Sequence, residues 1–417
     1  MWYIIAALAA ALIFFCLLAR RMGRTPAEIL QLVKTGGGKA LNVAKVLIVI
    51  GVVTGIWRAA GTIVVFVCYG VQIIRPELFL LVAFGLAALL SFALGTSFGV
   101  AGTVGVIFMT LARSGGVNPI ITGGVLLSGV FFGDRGSPVS STAILVSALT
   151  KTDLIGNVKR MAKTGLLPFL LCLVFYTFLS LRNPLQTVDG TVTESLRSVF
   201  SLTPWAFLPA ALLLILPLLR VPVLLSMGLS ILAGAAVALT AQGMDLLTLI
   251  KCCVLGYHSE VPQVAAILDG GGIASMVSSC AIILLACASA EVAEGSGMLN
   301  RVETLAGSIS NRIGYFPAMI LTSLCASAVF CNQVIAIVLS HTFFKPMYEK
   351  RGRSRETLAL DMENCCITVP AFVPWSIICS VPLQLLGTDY RSMLYASFLY
   401  LIPLIHWARL AFQRKSA

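Results

Sequence analysis

Apolar runs separated by short polar stretches dominate the chain. Residues 1–18 and 78–112 contain no charged side chain, and 165–182 carries only its terminal Arg182. A hydrocarbon core about 30 Å thick is crossed by about 20 apolar helical residues, so such runs predict membrane-spanning helices. The period-2 alternation of a transmembrane barrel is absent from this reading. Several runs are broken at depth by small or polar residues: "RAAGT" (58–62), "LGTSFGVAGT" (94–103), "GDRGSPVSST" (133–142), "AEVAEGSG" (290–297), "FCNQVIA" (330–336) and "MENCCITVPAFVPWS" (362–376). Non-helical backbone inside a bilayer is tolerated only where protein or a water-filled cavity covers it. The breaks therefore mark a site.

Landmarks recur at a fixed interval. Gly61 and Gly297, Thr96 and Asn332, Pro138 and Pro374, and Ser140 and Ser376 are each 236 apart (297−61, 332−96, 374−138, 376−140). "PAEILQLVKTGGGKAL" (26–41) and "PQVAAILDGGGIASM" (262–276) also run alike from a proline to three glycines. A duplicated unit follows from this.

Composition agrees with the membrane reading. The 417 residues are 58% hydrophobic and 11% charged, against about 25% charged in soluble domains. The net charge of +12 resides in short basic clusters between apolar runs, at 20–24, 151–163, 345–355 and 414–415. That is the positive-inside bias of cytoplasmic loops and calls for no nucleic-acid partner. Placing those clusters inside predicts a cell (inner) membrane protein with its N-terminus outside and its C-terminus cytoplasmic. The first run lacks a basic n-region and a cleavage site, so it reads as a retained helix. The twelve cysteines form no CxxC pair and read as helix-packing residues.

The expected fold is an all-α polytopic membrane protein of two inverted-topology repeats with re-entrant hairpins and broken helices, forming a scaffold and a transport domain. Its parts are an N-terminal helix (1–24), repeat 1 (25–150), connecting helices (151–260), repeat 2 (261–388), and a C-terminal helix with basic tail (389–417). Nine crossings are expected, with hairpins at 42–74 and 276–312 whose tips carry Arg58, Thr62, Glu291 and Glu294.

Inverted repeats with broken helices place transporter sites at the membrane midplane. The candidate substrate or ion ligands are Thr96, Ser97, Asp134, Ser137, Ser140, Ser141, Thr142, Asn332, Gln333, Glu363, Asn364, Thr368, Trp375 and Ser376. A charged group at that depth is costly and faces protein or water, which singles out Asp134, Arg135 and Glu363. For Asp134 and Arg135 the alternative is a structural ion pair. His258, His341 and His406 lie toward span ends without ligand spacing, with His341 a weak candidate for pH sensing. No HExxH or Walker sequence occurs, so neither a zinc hydrolase nor an ATP-driven pump is expected.

The motifs "IGVVTGIWRAAGT", "LGTSFGVAGTVGV", "FFGDRGSPVSST", "GGGIASM", "EGSGML", "KPMYEKRG" and "VPAFVPWS" resemble, in order, those of the NhaC family of sodium/proton antiporters. The resemblance implies a homodimeric secondary active transporter without cofactor, with sodium or proton as coupling ion and an elevator-like motion. It also exposes departures. The family pattern G-D-x-x-S-P-x-S-D-T-T has Ser141 in place of its second acid, T-A-D-Q becomes "FCNQ" with Asn332, and L-E-D becomes "MEN" with Asn364. Cation/proton antiport at Asp134 and Glu363 is the first expectation. Ion-coupled transport of a small organic solute is the second, with Arg58 and Arg135 as possible carboxylate clamps. A membrane scaffold or sensor, which has no use for polar breaks, ranks last.

Overall fold

Helix-forming apolar runs with well-placed caps account for the architecture. The computed structural model describes residues 2–73, 75–186, 190–219, 221–298 and 312–415. Their helices are α1 (Trp2–Arg21), α2 (Pro26–Ala59), α3 (Thr62–Ile73), α4 (Phe79–Leu94), α5 (Ser97–Ser114), α6 (Pro119–Gly136), α7 (Ser141–Thr150), α8 (Leu154–Arg182), α9 (Gly190–Val199), α10 (Leu208–Leu218), α11 (Val223–Thr240), α12 (Leu246–Leu255), α13 (Pro262–Leu268), α14 (Val277–Gly295), α15 (Tyr315–Phe330), α16 (Gln333–Lys350), α17 (Arg355–Cys365), α18 (Ile377–Leu386) and α19 (Ser397–Lys415). Six helical segments are long and apolar enough to cross a membrane, or seven if the pair Arg355–Phe372 and Ile377–Leu386, bent by 60°, forms one span. The chain is a multi-pass helical membrane protein.

The 236-residue interval seen in the sequence governs the helix boundaries. Adding 236 to α4 (79–94), α5 (97–114) and α7 (141–150) gives 315–330, 333–350 and 377–386, the bounds of α15, α16 and α18. Adding it to α6 (119–136) gives 355–372, the first limb of the bent pair. Left-handed residues follow suit: Gly61 and Gly297, Gly95 and Cys331, Gly116 and Gly352, and Lys151 and Gly387.

Hairpins form, but elsewhere than expected. The run 78–112, read as one crossing, leaves and returns to the same place. Leu185 N–H donates to the Pro76 carbonyl (3.0 Å) and Gln186 N–H to the Gly115 carbonyl (2.8 Å), so the two ends of α4–α5 are neighbours. At 315–350 the Tyr315 and Tyr348 rings lie 5.5 Å apart and the Arg351 guanidinium covers Tyr315. Again both ends meet. The turns fall at Gly95 (φ +63°) and Cys331 (φ +56°). The base of the first hairpin sits at the C-terminal end of α8. Residues just past the second, Ser354 and Glu356, share a cavity with Arg160 near the N-terminal end of α8. The 29 residues of α8 separate these places by about 40 Å, so the hairpins enter from opposite ends and their tips meet between them.

The segment 42–74, expected to be a hairpin, consists of the C-terminal part of α2, a turn and α3, and the described part of the other expected hairpin, 276–312, is chiefly α14. Thr25, Pro26 and Glu28 form a capping box that starts α2 early, and its 34 residues run about 51 Å. It lies antiparallel to α14 along its length. A Cβ on Gly36 would be 2.5 Å from the Cys287 carbonyl oxygen, and one on Gly51 would be 2.7 Å from that of Gly272. Small residues are what allow two membrane helices to close so tightly. The chain does turn sharply at Gly61, as expected, but the 290–297 segment lies beside Arg24, whose Nη2 donates to the Gly295 carbonyl (2.8 Å). The rest of the second expected hairpin, 299–311, is outside the described residues.

α4 and α6 pack side by side and in parallel. A Cβ on Gly133 would approach the Ser91 carbonyl carbon to 2.0 Å, and one on Gly129 the Phe84 oxygen to 2.8 Å. Ser91 Oγ donates to the Val130 carbonyl at the same contact. This lock sets where α6 ends, and therefore where Asp134 sits.

Candidate functional site

The two hairpin tips and two helix breaks converge on one open cavity of about 1030 Å³. Thr96 is the N-cap of α5, its hydroxyl accepting from Gly99 N–H at 3.3 Å. Asn332 is the N-cap of α16, its side-chain oxygen accepting from Val334 N–H at 2.9 Å. The C-termini of α4 and α15 and the N-termini of α5 and α16 thus point at the same space. Partial charges of both signs are available there, negative at the carbonyl ends and positive at the N–H ends. Gly95 makes the packing possible. A Cβ there would lie 2.6 Å from the Val139 carbonyl carbon, so only glycine lets the first tip rest on the α6–α7 break.

Of the expected ligands, Thr96, Ser97, Asp134, Ser141, Thr142, Asn332 and Gln333 line this cavity, joined by Lys39, Cys287 and the apolar wall of Ile377 and Ile378. Asp134 is 4% exposed. Ser97 Oγ lies 3.4 Å from its Oδ2 and Ser140 Oγ 3.4 Å from its Oδ1, while the Ser140 and Thr142 hydroxyls donate to its main-chain carbonyl at 2.6 and 2.9 Å. The hydroxyls fix the backbone and touch the carboxylate only loosely. Among the described residues no cation lies within 4 Å of it.

Arg135, adjacent in sequence, faces away. Its Nε and Nη2 donate to Asn364 Oδ1 at 3.1 and 2.5 Å, and Nη2 also reaches the Met161 carbonyl (3.2 Å) and Thr164 Oγ1 (2.9 Å). A structural Asp134–Arg135 ion pair is therefore absent, and Arg135 is engaged where a carboxylate clamp would need it free. Asn364 spends its oxygen on Arg135.

Several expected site residues lie behind the cavity. Glu363 is fully buried, with both carboxylate oxygens unpartnered among the described residues and within electrostatic reach of Arg135 and Asp134. Thr368 is buried with its hydroxyl unpartnered. Ser376 Oγ donates to the Pro370 carbonyl (2.8 Å), repeating 236 residues on the bond from Ser140 to Asp134. Ser137 accepts from Val139 N–H (3.2 Å), a turn role. Gln333, though lining the cavity, donates to the Ile367 carbonyl (2.8 Å). Trp375 is 41% exposed and donates to the Ala328 carbonyl (2.8 Å), so it pins the second hairpin. Thr62 is buried at the start of α3, and Arg58 lines a different cavity.

Glu291 and Glu294 face a second open space of about 640 Å³ that shares Lys39, Cys287, Asn332 and Val334 with the first. Together the two form a path to Asp134. Lys39 pairs with Glu291 on this path. Sequence reasoning missed Lys39 because nothing in "GGGKA" announces that α2 passes the hairpin tips.

The sequence reading set aside an intramembrane hydrolase for want of a G-x-S-x-G, but residues 95–99 do spell that pattern, so the exclusion rests on geometry instead. Ser97 has no histidine beside it: none lines the cavity. Its neighbour is a carboxylate.

The profile of the Na+/H+ antiporter family matches residues 2–148 and 129–408. The chain belongs to the Na+/H+ antiporter family. Among curated relatives, the NhaC Na(+)/H(+) antiporter of Alkalihalophilus pseudofirmus is 26% identical over 365 residues, covering 86% of this chain and 79% of that protein. The malate-2H(+)/Na(+)-lactate antiporter of Bacillus subtilis is 25% identical over 367 residues, 86% of this chain and 78% of that one. The arginine/ornithine antiporter ArcD of Halobacterium salinarum is 24% identical over 344 residues, 79% and 70%. A Na+/H+ antiporter needs a place where a cation and a proton exclude one another, and the cavity at Asp134 has the chemistry for it.

Proposed function

We propose that this protein exchanges sodium for protons at Asp134 by alternating access. The observation that carries the reading is a buried carboxylate facing a cavity at the meeting of two hairpin tips, with no cation within 4 Å among the described residues. Such a group is stabilised either by a proton or by a bound cation, and holding one excludes the other. Sodium is the cargo. Its ligands would be the carboxylate, hydroxyls from Ser97 and Thr142, the Asn332 amide and freed carbonyls at the tips, a hard-oxygen set suited to a hard cation. Glu363 lies one layer behind, within electrostatic reach of Asp134 and Arg135.

The two copies, entering from opposite ends of α8, form inverted-topology repeats, and exchanging their roles opens the cavity to one side and then the other. A homodimeric scaffold holding mobile hairpin units, with a cytoplasmic C-terminus, completes the proposal. The alternative cargo is a small organic solute coupled to sodium or protons, favoured by the relatives named for malate, lactate, arginine and ornithine. Purified protein in liposomes with an internal pH dye separates the two. A sodium gradient alone drives proton flux if the first reading holds. Accumulation of an organic acid or amino acid with no sodium/proton exchange overturns it.

A further inference from the structure

Away from Asp134, the outer end of α5 frames a second open cavity of about 690 Å³. It shares no lining residue with the first. Two arginines line it. Arg58, on the last turn of α2, donates from Nη1 to the Thr54 carbonyl (2.8 Å). Arg113, on the last turn of α5, donates from Nη2 to the Gly387 carbonyl (2.6 Å) at the C-terminus of α18. Both guanidiniums are held by main-chain carbonyls, and Arg58 Nε is buried without a partner among the described residues. Among the described residues neither has a carboxylate within 4 Å. Asp269 shares the cavity, but its carboxylate is taken by His258 Nδ1 and by Ser259 N–H (2.9 Å).

The surrounding backbone is shaped to admit the arginines. Gly271 (φ +76°) would put a Cβ 3.0 Å from Arg58 Nη1, and Gly387 (φ +64°) one 2.6 Å from Arg113 Nη2. A side chain at either place would be both strained and in the way. Arg58 and Arg113 repel one another across this space, and Asp269, in electrostatic reach of Arg58 but bound by His258 and Ser259, is one negative charge against two positive ones. A planar guanidinium fork matches a carboxylate bidentately. The remaining wall is mixed, with Val106, Met109 and Leu385 apolar and Thr54, Thr110, Ser275 and Gln384 polar, so a small organic anion meets both carbon and hydrogen-bonding partners there.

We propose that Arg58 and Arg113 form a binding site for a small organic carboxylate, separate from the cation site. The test is binding to detergent-purified protein without any gradient, so its outcome is independent of whether Asp134 exchanges sodium for protons. Lactate, succinate and chloride are compared as choline salts at equal ionic strength by thermal unfolding, so that no sodium reaches the cation site. Lactate or succinate is expected to raise the unfolding temperature saturably, and R58Q or R113Q to weaken that binding at least tenfold. A chloride shift equal to the carboxylate shifts, no saturable shift at all, or undiminished binding in both variants overturns the proposal. Wild-type protein supplies a check that does not depend on variants folding: lactate should slow phenylglyoxal modification of Arg58 and Arg113, read by mass spectrometry. Unslowed modification at both positions overturns it as well.

Discussion

In the proposed exchange Asp134 is the carrier, because a buried carboxylate with only loose hydroxyl contacts has two ways to be neutralised, a proton or a cation. D134N is expected to abolish sodium-driven proton flux in liposomes while the purified protein unfolds at nearly the wild-type temperature, since the main-chain bonds from Ser140 and Thr142 survive. Retained flux would remove Asp134 from the mechanism. Lys39 belongs to the same scale. Its positive charge lines the path to Asp134 and opposes an entering cation. K39Q should therefore lower the half-saturating sodium concentration several-fold, measured as the sodium dependence of proton flux; a higher value would show that the ion pair with Glu291 matters more than the repulsion. Asn332 caps α16 and lines the cavity. N332A is expected to raise half-saturating sodium about tenfold, or about 1.4 kcal/mol.

Elements set where those residues stand, and here backbone contacts decide. The lock between α4 and α6 depends on Gly133, where a Cβ would meet the Ser91 backbone at 2.0 Å, whereas a Cβ on Gly85 in the same helix pair meets nothing within 4 Å. G133A should cost about 1–3 kcal/mol or more through forced separation of the helices, seen as a fall in unfolding temperature together with lost flux. G85A should be neutral or slightly stabilising, because alanine restricts the unfolded chain. Equal effects of the two would mean that the helices do not close on Gly133. The tendency of each run to be helical was legible in the sequence, and so were the breaks at Gly61, Gly95, Ser140 and Ser376. What those breaks do was not, since a polar interruption reads the same whether the chain crosses onward or turns back.

At the scale of the whole molecule the two hairpins approach from opposite ends of α8. Glu77, Gly116 and Ser354 are exposed near the hairpin bases. In a cysteine-free background, E77C and G116C should react with a membrane-impermeant thiol reagent from one side of the membrane and S354C from the other. Labelling of Glu77 and Gly116 positions from different sides would make 79–114 a single full crossing and remove the hairpin. The sequence reading counted 78–112 as a single crossing. The hydrogen bonds from residues 185 and 186 correct the path of that segment.

Sequence alone determined the solvent, the helical class and the 236-residue duplication, and it singled out Asp134 as a candidate, because each rests on residue types and intervals that need no partner to be read. The resemblance to NhaC antiporters came from the same ordered motifs and agrees with the family match. Tertiary structure decided the rest. It turned Arg135 away from Asp134 onto Asn364, put Glu363 behind the cavity, brought Lys39 beside the hairpin tips, and set Arg113 opposite Arg58. Those outcomes depend on which helices lie side by side. Helix contacts through glycine backbones are short-range and specific, and a chain's periodicity does not record which of many small-residue faces will meet.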